Sequence, residues 1–252
     1  MDGLITDEAD GSVPPATLTE AIYGRIRKDI LLGLFKPGDK LKLDALRQRY
    51  VASVNTLRET LSRLVSEGLV ANEGQRGFTV VPASLADLQD ITEMRTLLEC
   101  HAANLSLQRA DLDWESRVVA AYHKLSKIEE VVEGDPKRYS PLLERYNREF
   151  HQALISACGS RWLLTFHGFM YDQSLRYRML AFQVRDFPRD QSRREHRQIL
   201  DAALARDADT LVSVLSAHIN KGAKLYEQEG LIRDAGPKRR PRAAGKSRSR
   251  KK

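Results

Sequence analysis

The chain has little cysteine, no long apolar run and no apolar leader. Only Cys100 and Cys158 are present in 252 residues. Both fall in apolar helical patterns, so two buried free thiols in a reducing compartment are expected. No run of about 18 apolar residues occurs, which excludes a membrane-spanning helix. Residues Met1 to Pro15 are acidic and polar, without the basic start and apolar middle of a secretory signal. A cytoplasmic location is the expectation.

What is present suffices for two folded units. Hydrophobic residues make up 42% of the sequence, an ordinary share for a globular protein. The net charge of +7 is a property of one end. Pro237 to Lys252 holds nine basic residues and no acidic one, so the remainder is slightly acidic. Within that remainder, Thr17 to Val81 carries eleven Lys/Arg against seven Asp/Glu. A locally positive segment suits contact with nucleic acid.

Residues 1–16 read as a flexible leader. Thr17-Leu18-Thr19-Glu20 has the form of a capping box, and Leu18, Ile22, Ile26 and Ile30 follow on one helical face. Gly33 and Pro37 end that helix. Lys40 to Leu43 reads as a short extended piece, Asp44 to Tyr50 as a short helix, and Val51 to Val54 as a tight connection. A third helix starts near Ser53 or Asn55, buries Leu57, Leu61 and Leu64, and closes at Gly68. Leu69 to Ala71 and Phe78 to Val81 form a hairpin around Glu73 to Gly77. This order, over residues 17–81, is that of a winged helix-turn-helix. Residues 82–84 are a linker. Residues 85–229 read as helical throughout, with helices near 85–109, 113–132, 139–158, 160–183, 188–206 and 207–228. The fold class is therefore mainly α: a winged helix-turn-helix with a small β-hairpin wing, then an all-α antiparallel bundle. Residues 230–252 form a low-complexity basic tail.

The second helix of a helix-turn-helix enters the major groove with its first turn against base edges. Here that turn carries Ser53, Val54, Asn55, Thr56 and Arg58. Asn and Arg make bidentate contacts with adenine and guanine, and Ser and Thr suit phosphates. Gln75, Arg76 and Gly77 stand at the hairpin tip, where a wing reaches the minor groove or backbone. Ser53 and Asn55 are also good caps, and capping is compatible with reading.

In the helical half, His151 shares a stripe with Leu143, Asn147, Phe150 and Leu154. His196 lies in line with Ile199, Leu200 and Ala203, and His218 with Leu211, Val214 and Leu215. Three imidazoles and Asn147 from separate helices can converge on one ion, or serve as core histidines bonded to neighbours. His101, His123 and His167 are expected at the surface or boundary. Arg95, Arg176 and Arg178 suit a carboxylate if they face a cavity, and Arg95 can instead pair with Glu99 at i,i+4.

Several stretches together resemble the GntR family of bacterial regulators. They are Phe35-Lys36-Pro37-Gly38-Asp39-Lys40-Leu41, Asn55 to Leu64, Glu67-Gly68-Leu69-Val70, and Gly74 to Val80. The resemblance places Asn55, Thr56, Arg58, Arg76 and Gly77 at operator contacts. Val54 stands where many members have arginine, and Asp44 where some place a basic residue, so those two contacts are not carried over. Asn147 to Leu154, Glu195 to Ala202 and Ala217-His218-Ile219 are similar to the metal-ligand motifs of the FCD domain, the effector domain of the FadR-type branch. Ile91 to Glu99 is similar to its first-helix motif. The resemblance implies Asn147, His151, His196 and His218 as ligands of a divalent transition metal (Zn, Ni, Fe or Mn), with Asn147 where Asp is frequent. It implies a small mono- or dicarboxylate effector. A ligand-responsive regulator, acting as a homodimer on a double-stranded operator and with no membrane partner, is the expected function. A metal-dependent enzyme with a DNA-binding accessory is the alternative. It is disfavoured because Glu149 and Glu195, neighbours of the histidines in sequence, are expected to point away from them.

Overall fold

A computed structural model describes residues 17–132, 134–181, 189–228 and Ile232. The acidic leader, the rest of the basic tail and the expectations made for them lie outside the described residues. The chain opens with α1 (Leu18–Leu31), a two-residue strand β1 (Lys40–Leu41), α2 (Leu43–Tyr50) and α3 (Val54–Ser66). A hairpin of β2 (Val70–Asn72) and β3 (Phe78–Val80) follows. Thr17 accepts a hydrogen bond from the Glu20 amide and Ser53 one from the Thr56 amide, so both expected caps start their helices. The expected extended piece becomes a third antiparallel strand. The sheet order is β1-β3-β2, with Leu41 opposite Phe78 and Ala71 opposite Thr79. Ile22, Ile26, Ile30, Leu46, Leu57, Leu61, Leu64 and Leu69 fill the core beneath the sheet.

The turn between α2 and α3 runs through Val51, which has φ 52 and is 84% exposed. A β-branched residue in the left-handed region costs about 1–2 kcal/mol, with no burial here to offset it. Val51→Asn is expected to stabilise the protein by about 1 kcal/mol in urea unfolding; an unchanged or lower midpoint contradicts the strain.

Six helices follow: α4 (Leu85–Gln108), α5 (Leu112–Val131), α6 (Pro136–Ile155), α7 (Arg161–Ala181), α8 (Arg189–Leu204) and α9 (Ala208–Gln228). The third of them begins at Pro136 rather than near 139, because Asp135 caps it and proline suits the first turn. α4 packs against α7 and α9, α5 against α6 and α8, and α8 against α9. Trp114, Val118, Leu125, Phe150, Leu154, Ile199, Leu211 and Leu215 form the central core. Cys158 is buried and Cys100 only partly so, and both are free thiols. No helix among the described residues is long and apolar enough to cross a membrane.

Helix α7 is unlike the others. Every residue from Tyr171 to Tyr177 is buried, polar ones included. The reason is position: the C-terminal half of α7 lies between the bundle and the winged unit, and Leu175 and Met179 belong to the core of the latter.

Candidate metal centre and DNA-reading surface

Asn147 and His151 lie one turn apart on α6, so they share a face. His196 comes from α8 and His218 from α9. The ligand atoms of the three histidines all lie within 4.8 Å of one another. Each ring is held from behind by a carboxylate. His151 Nδ1 meets Glu99 of α4, His196 Nδ1 meets Glu129 of α5 at 2.7 Å, and His218 Nδ1 meets Glu195 at 2.9 Å. An Nδ1–H donated to a carboxylate fixes the tautomer and leaves the Nε2 lone pair free. The Nε2 atoms of His151 and His196 are buried and have no hydrogen-bond partner, and neither has Asn147 Oδ1. Asn147 uses its other end, donating from Nδ2 to the Tyr171 hydroxyl at 2.9 Å.

Buried acceptors without donors are costly unless something completes them. A divalent transition metal fits: imidazole nitrogens and an amide oxygen are suitable donors, and they must be neutral to bind. Burial pushes the His151 ring down to about 3 and the His218 ring to about 4, so both are neutral near pH 7. Burial opposes the charge on Glu99, yet the surrounding His151, Arg95 and His167 donors hold it well below the usual carboxylate range.

The structure corrects several expectations. His167 is not a surface residue: it is 1% exposed, and its Nε2 donates to Glu99 Oε2 at 2.8 Å. Glu195 does turn away from its neighbour His196, but toward His218 of α9. Glu149 stays outside, paired with Lys124. Arg176 does not line the cavity described below; it bonds Asp87 at the start of α4 at 3.1 Å. Arg95 makes the expected i,i+4 pair with Glu99 at 3.0 Å and also reaches the cavity wall. His101 and His123 are exposed as expected. Sequence reasoning missed Glu129 altogether and named Glu99 only as an arginine partner.

Glu99 is fully buried and serves His151, His167 and Arg95 together. Glu99→Gln removes the charge and one acceptor. Metal affinity should fall about 10–100-fold, as for other carboxylates behind ligating histidines. Competition against a chelating dye measures it; unchanged affinity contradicts the role.

A cavity of about 130 Å³ opens beside the histidines. Its wall includes His196, His218, Asn147, Arg95, Arg178 and the apolar Leu88, Leu143 and Ile219. Arg178 bonds Glu144 through Nε at 3.0 Å. Arg95, Arg148 and Arg178 all lie over the ring of Tyr171, at 4.5, 5.3 and 4.3 Å from its centroid. The cavity thus joins an apolar wall to a polar end in which Arg95 and Arg178 stand with Glu129, Glu144 and Glu195.

In the winged unit, Asn55 and Arg58 are exposed on the first turns of α3. Arg58 has no ion-pair partner among the described residues. Ser53 Oγ is committed to the cap and to the Thr56 hydroxyl, 2.9 Å away. Gln75 and Arg76 are exposed at the wing tip. Gly77 follows with φ 84 and ψ −150, a conformation essentially reserved for glycine.

These features define a winged helix-turn-helix regulator with a helical C-terminal domain. Residues 18–80 match the bacterial regulatory proteins of the gntR family, and residues 90–221 match the FCD domain. The "Uncharacterized HTH-type transcriptional regulator BphR" of Paraburkholderia xenovorans (strain LB400) is 41% identical over 229 residues, covering 89% of this chain and 93% of the relative. The HTH-type transcriptional repressor GlaR of Escherichia coli (strain K12) is 32% identical over 213 residues, covering 82% and 94%. The solved structure of E. coli McbR/YncC has the same fold, with a TM-score of 0.70 at 20% identity over 85% of this chain and 99% of that one. The chain belongs to the GntR family of transcription regulators and carries an FCD domain. Its relatives are regulators, not enzymes.

Proposed function

We propose that this protein is a repressor that binds its operator as a homodimer and is controlled by a small carboxylate held in a metal-containing cavity of the helical domain. The observation that carries this reading is the set of three imidazoles, each backed by a carboxylate, with partnerless Nε2 atoms of His151 and His196 and Oδ1 of Asn147 beside a cavity that Arg95 and Arg178 help to line. His151, His196, His218 and Asn147 would hold Zn, Ni, Fe or Mn. The ion, when bound, supplies coordination positions that a carboxylate oxygen can take. None of the four donors is itself an anion, so an anionic ligand can complete the ion's remaining positions. Arg95 and Arg178 line the same cavity, where an anion would compete with Glu99 and Glu144 for their guanidinium groups, while Leu88, Leu143 and Ile219 receive an apolar body. Repression is supported by the function stated for GlaR.

On DNA, Asn55 and Arg58 read base edges, Ser53 and Thr56 with the amides of α3 hold phosphate, and Gln75, Arg76 and Gly77 place the wing. Two copies are needed to span two half-sites. The neighbouring helices α4 and α7 leave Met94, Leu97, Trp162, Phe166 and Phe169 exposed, and Trp162 stacks on Phe166 with ring centroids 6.0 Å apart. A second copy covers such an apolar surface. Phe166→Glu is expected to halve the sedimenting mass at micromolar concentration; a variant that remains dimeric removes α7 from the interface.

The test uses DNA fragments recovered from a random pool by the wild-type protein. Fluorescence anisotropy then follows their affinity with and without small mono- and dicarboxylates, before and after chelation. At least one acid should change operator affinity about 5–150-fold, the usual size of such coupling. The change should disappear with the metal. No response to any acid overturns the proposal.

A further inference from the structure

The C-terminal half of α7 has two working faces. Tyr171, Ser174 and Arg178 recur at helical spacing on the bundle side. Ser174 and Arg178 line the cavity, and the Tyr171 hydroxyl accepts from Asn147. Asp172, Gln173, Leu175 and Met179 face the winged unit. Asp172 binds Arg27 of α1 at 2.6 Å, and Gln173 donates to the Glu67 carbonyl, just after α3, at 2.6 Å. Arg27 also holds the Glu67 carboxylate at 2.8 Å. On its other oxygen Asp172 bonds Arg148, the residue next to Asn147.

We infer that residues 171–179 of α7 are the coupling element, and that the chain Asn147, Arg148, Asp172, Arg27 and Glu67 carries the state of the cavity to the recognition helix. The inference rests on the proposed metal and effector reading and adds its route. Asp172 is 7% exposed in its side chain, with Arg27 at 26% and Arg148 at 32%, so these partly buried ion pairs are screened by salt less than surface pairs are. Fixing Asn147 on an ion fixes α6 at Arg148. That settles Asp172 between two guanidinium groups and with it the angle at which α1 and α3 leave the bundle. An anion in the cavity that draws Arg178 from Glu144 acts on the same helix one to two turns further on. A ligand can act at a distance only through an element that it favours in one of two arrangements. This buried, doubly engaged segment of α7 is such an element.

The test is amide hydrogen exchange on the full-length protein with and without Zn²⁺, in wild type, Asp172→Asn and Gln173→Ala. Bound zinc per chain is measured alongside. In wild type, zinc should slow exchange around the histidines in α6, α8 and α9 and, severalfold, in α1 and the end of α3. In both variants the bundle should still take up zinc and slow, while α1 and α3 no longer respond. Equal protection of α1 in wild type and variants would overturn the inference, as would bundle protection in wild type with no response in α1. Failure of zinc to bind or to slow the bundle sinks the metal reading instead, and the inference with it.

Discussion

Arg58→Ala removes sequence-specific operator binding. The guanidinium is exposed on the second turn of α3 with no ion pair among the described residues to hold it back, so it is available to a guanine edge. A bidentate contact of that kind discriminates by about 1–3 kcal/mol. In a dimer the loss falls on both half-sites, so it roughly doubles. Weak, salt-dependent binding to arbitrary DNA should persist, because the exposed Arg47 and Arg76 keep the surface positive. Arg58 is not among the residues that line the cavity, so ligand-induced stabilisation of the bundle should match wild type. A variant that protects the same fragment from cleavage at the same concentration shows that α3 does not read the site in this way.

His151→Ala is expected to empty the metal centre. Three histidines and one amide oxygen leave no spare donor, and His151 is fully buried at the junction of α6 with Glu99. Metal content should drop from about one ion per chain to a trace. Where free metal stands at 1,000 times its dissociation constant, the wild type gains about 4.1 kcal/mol from binding, and the variant loses that gain. His196→Ala should behave alike. His101→Ala, on the exposed face of α4, is the control and should keep its metal. Without metal the variant should still fold, since Glu99 retains His167 and Arg95 as partners. Equal metal in wild type, His151→Ala and His196→Ala excludes these ligands.

The winged unit was legible because its signals are local. Thr17 and Ser53 cap, Gly68 and Gly77 turn, and the isoleucine and leucine stripes keep a single phase. The clustering of three histidines was legible for a related reason: His151, His196 and His218 fall within apolar stripes, where a polar ring needs an explanation. The carboxylates behind them were not. Glu99, Glu129 and Glu195 meet their histidines across helix pairs, and charge alone cannot tell an inward glutamate from a solvated one. Arg95 with Glu99 on an inward stripe was the one available clue. Arg176 was misplaced because α7 has no exposed face over Tyr171 to Tyr177, and His167 because the exposed face of its half of the helix carries the apolar Trp162, Phe166 and Phe169. A helix packed between two units loses the periodic contrast on which assignment depends, and its buried Asp172, Gln173 and Arg176 look like surface residues in sequence.

The most direct measurement is thermal unfolding of the metal-loaded protein against a panel of small mono- and dicarboxylates, repeated after chelation. At 100 times its dissociation constant the right acid should add about 2.7 kcal/mol, a readily visible shift. At least one acid should give such a shift, and the shift should disappear when the metal is removed. No shift with any acid, and none on chelation, would contradict the proposed function and leave the helical domain without a ligand.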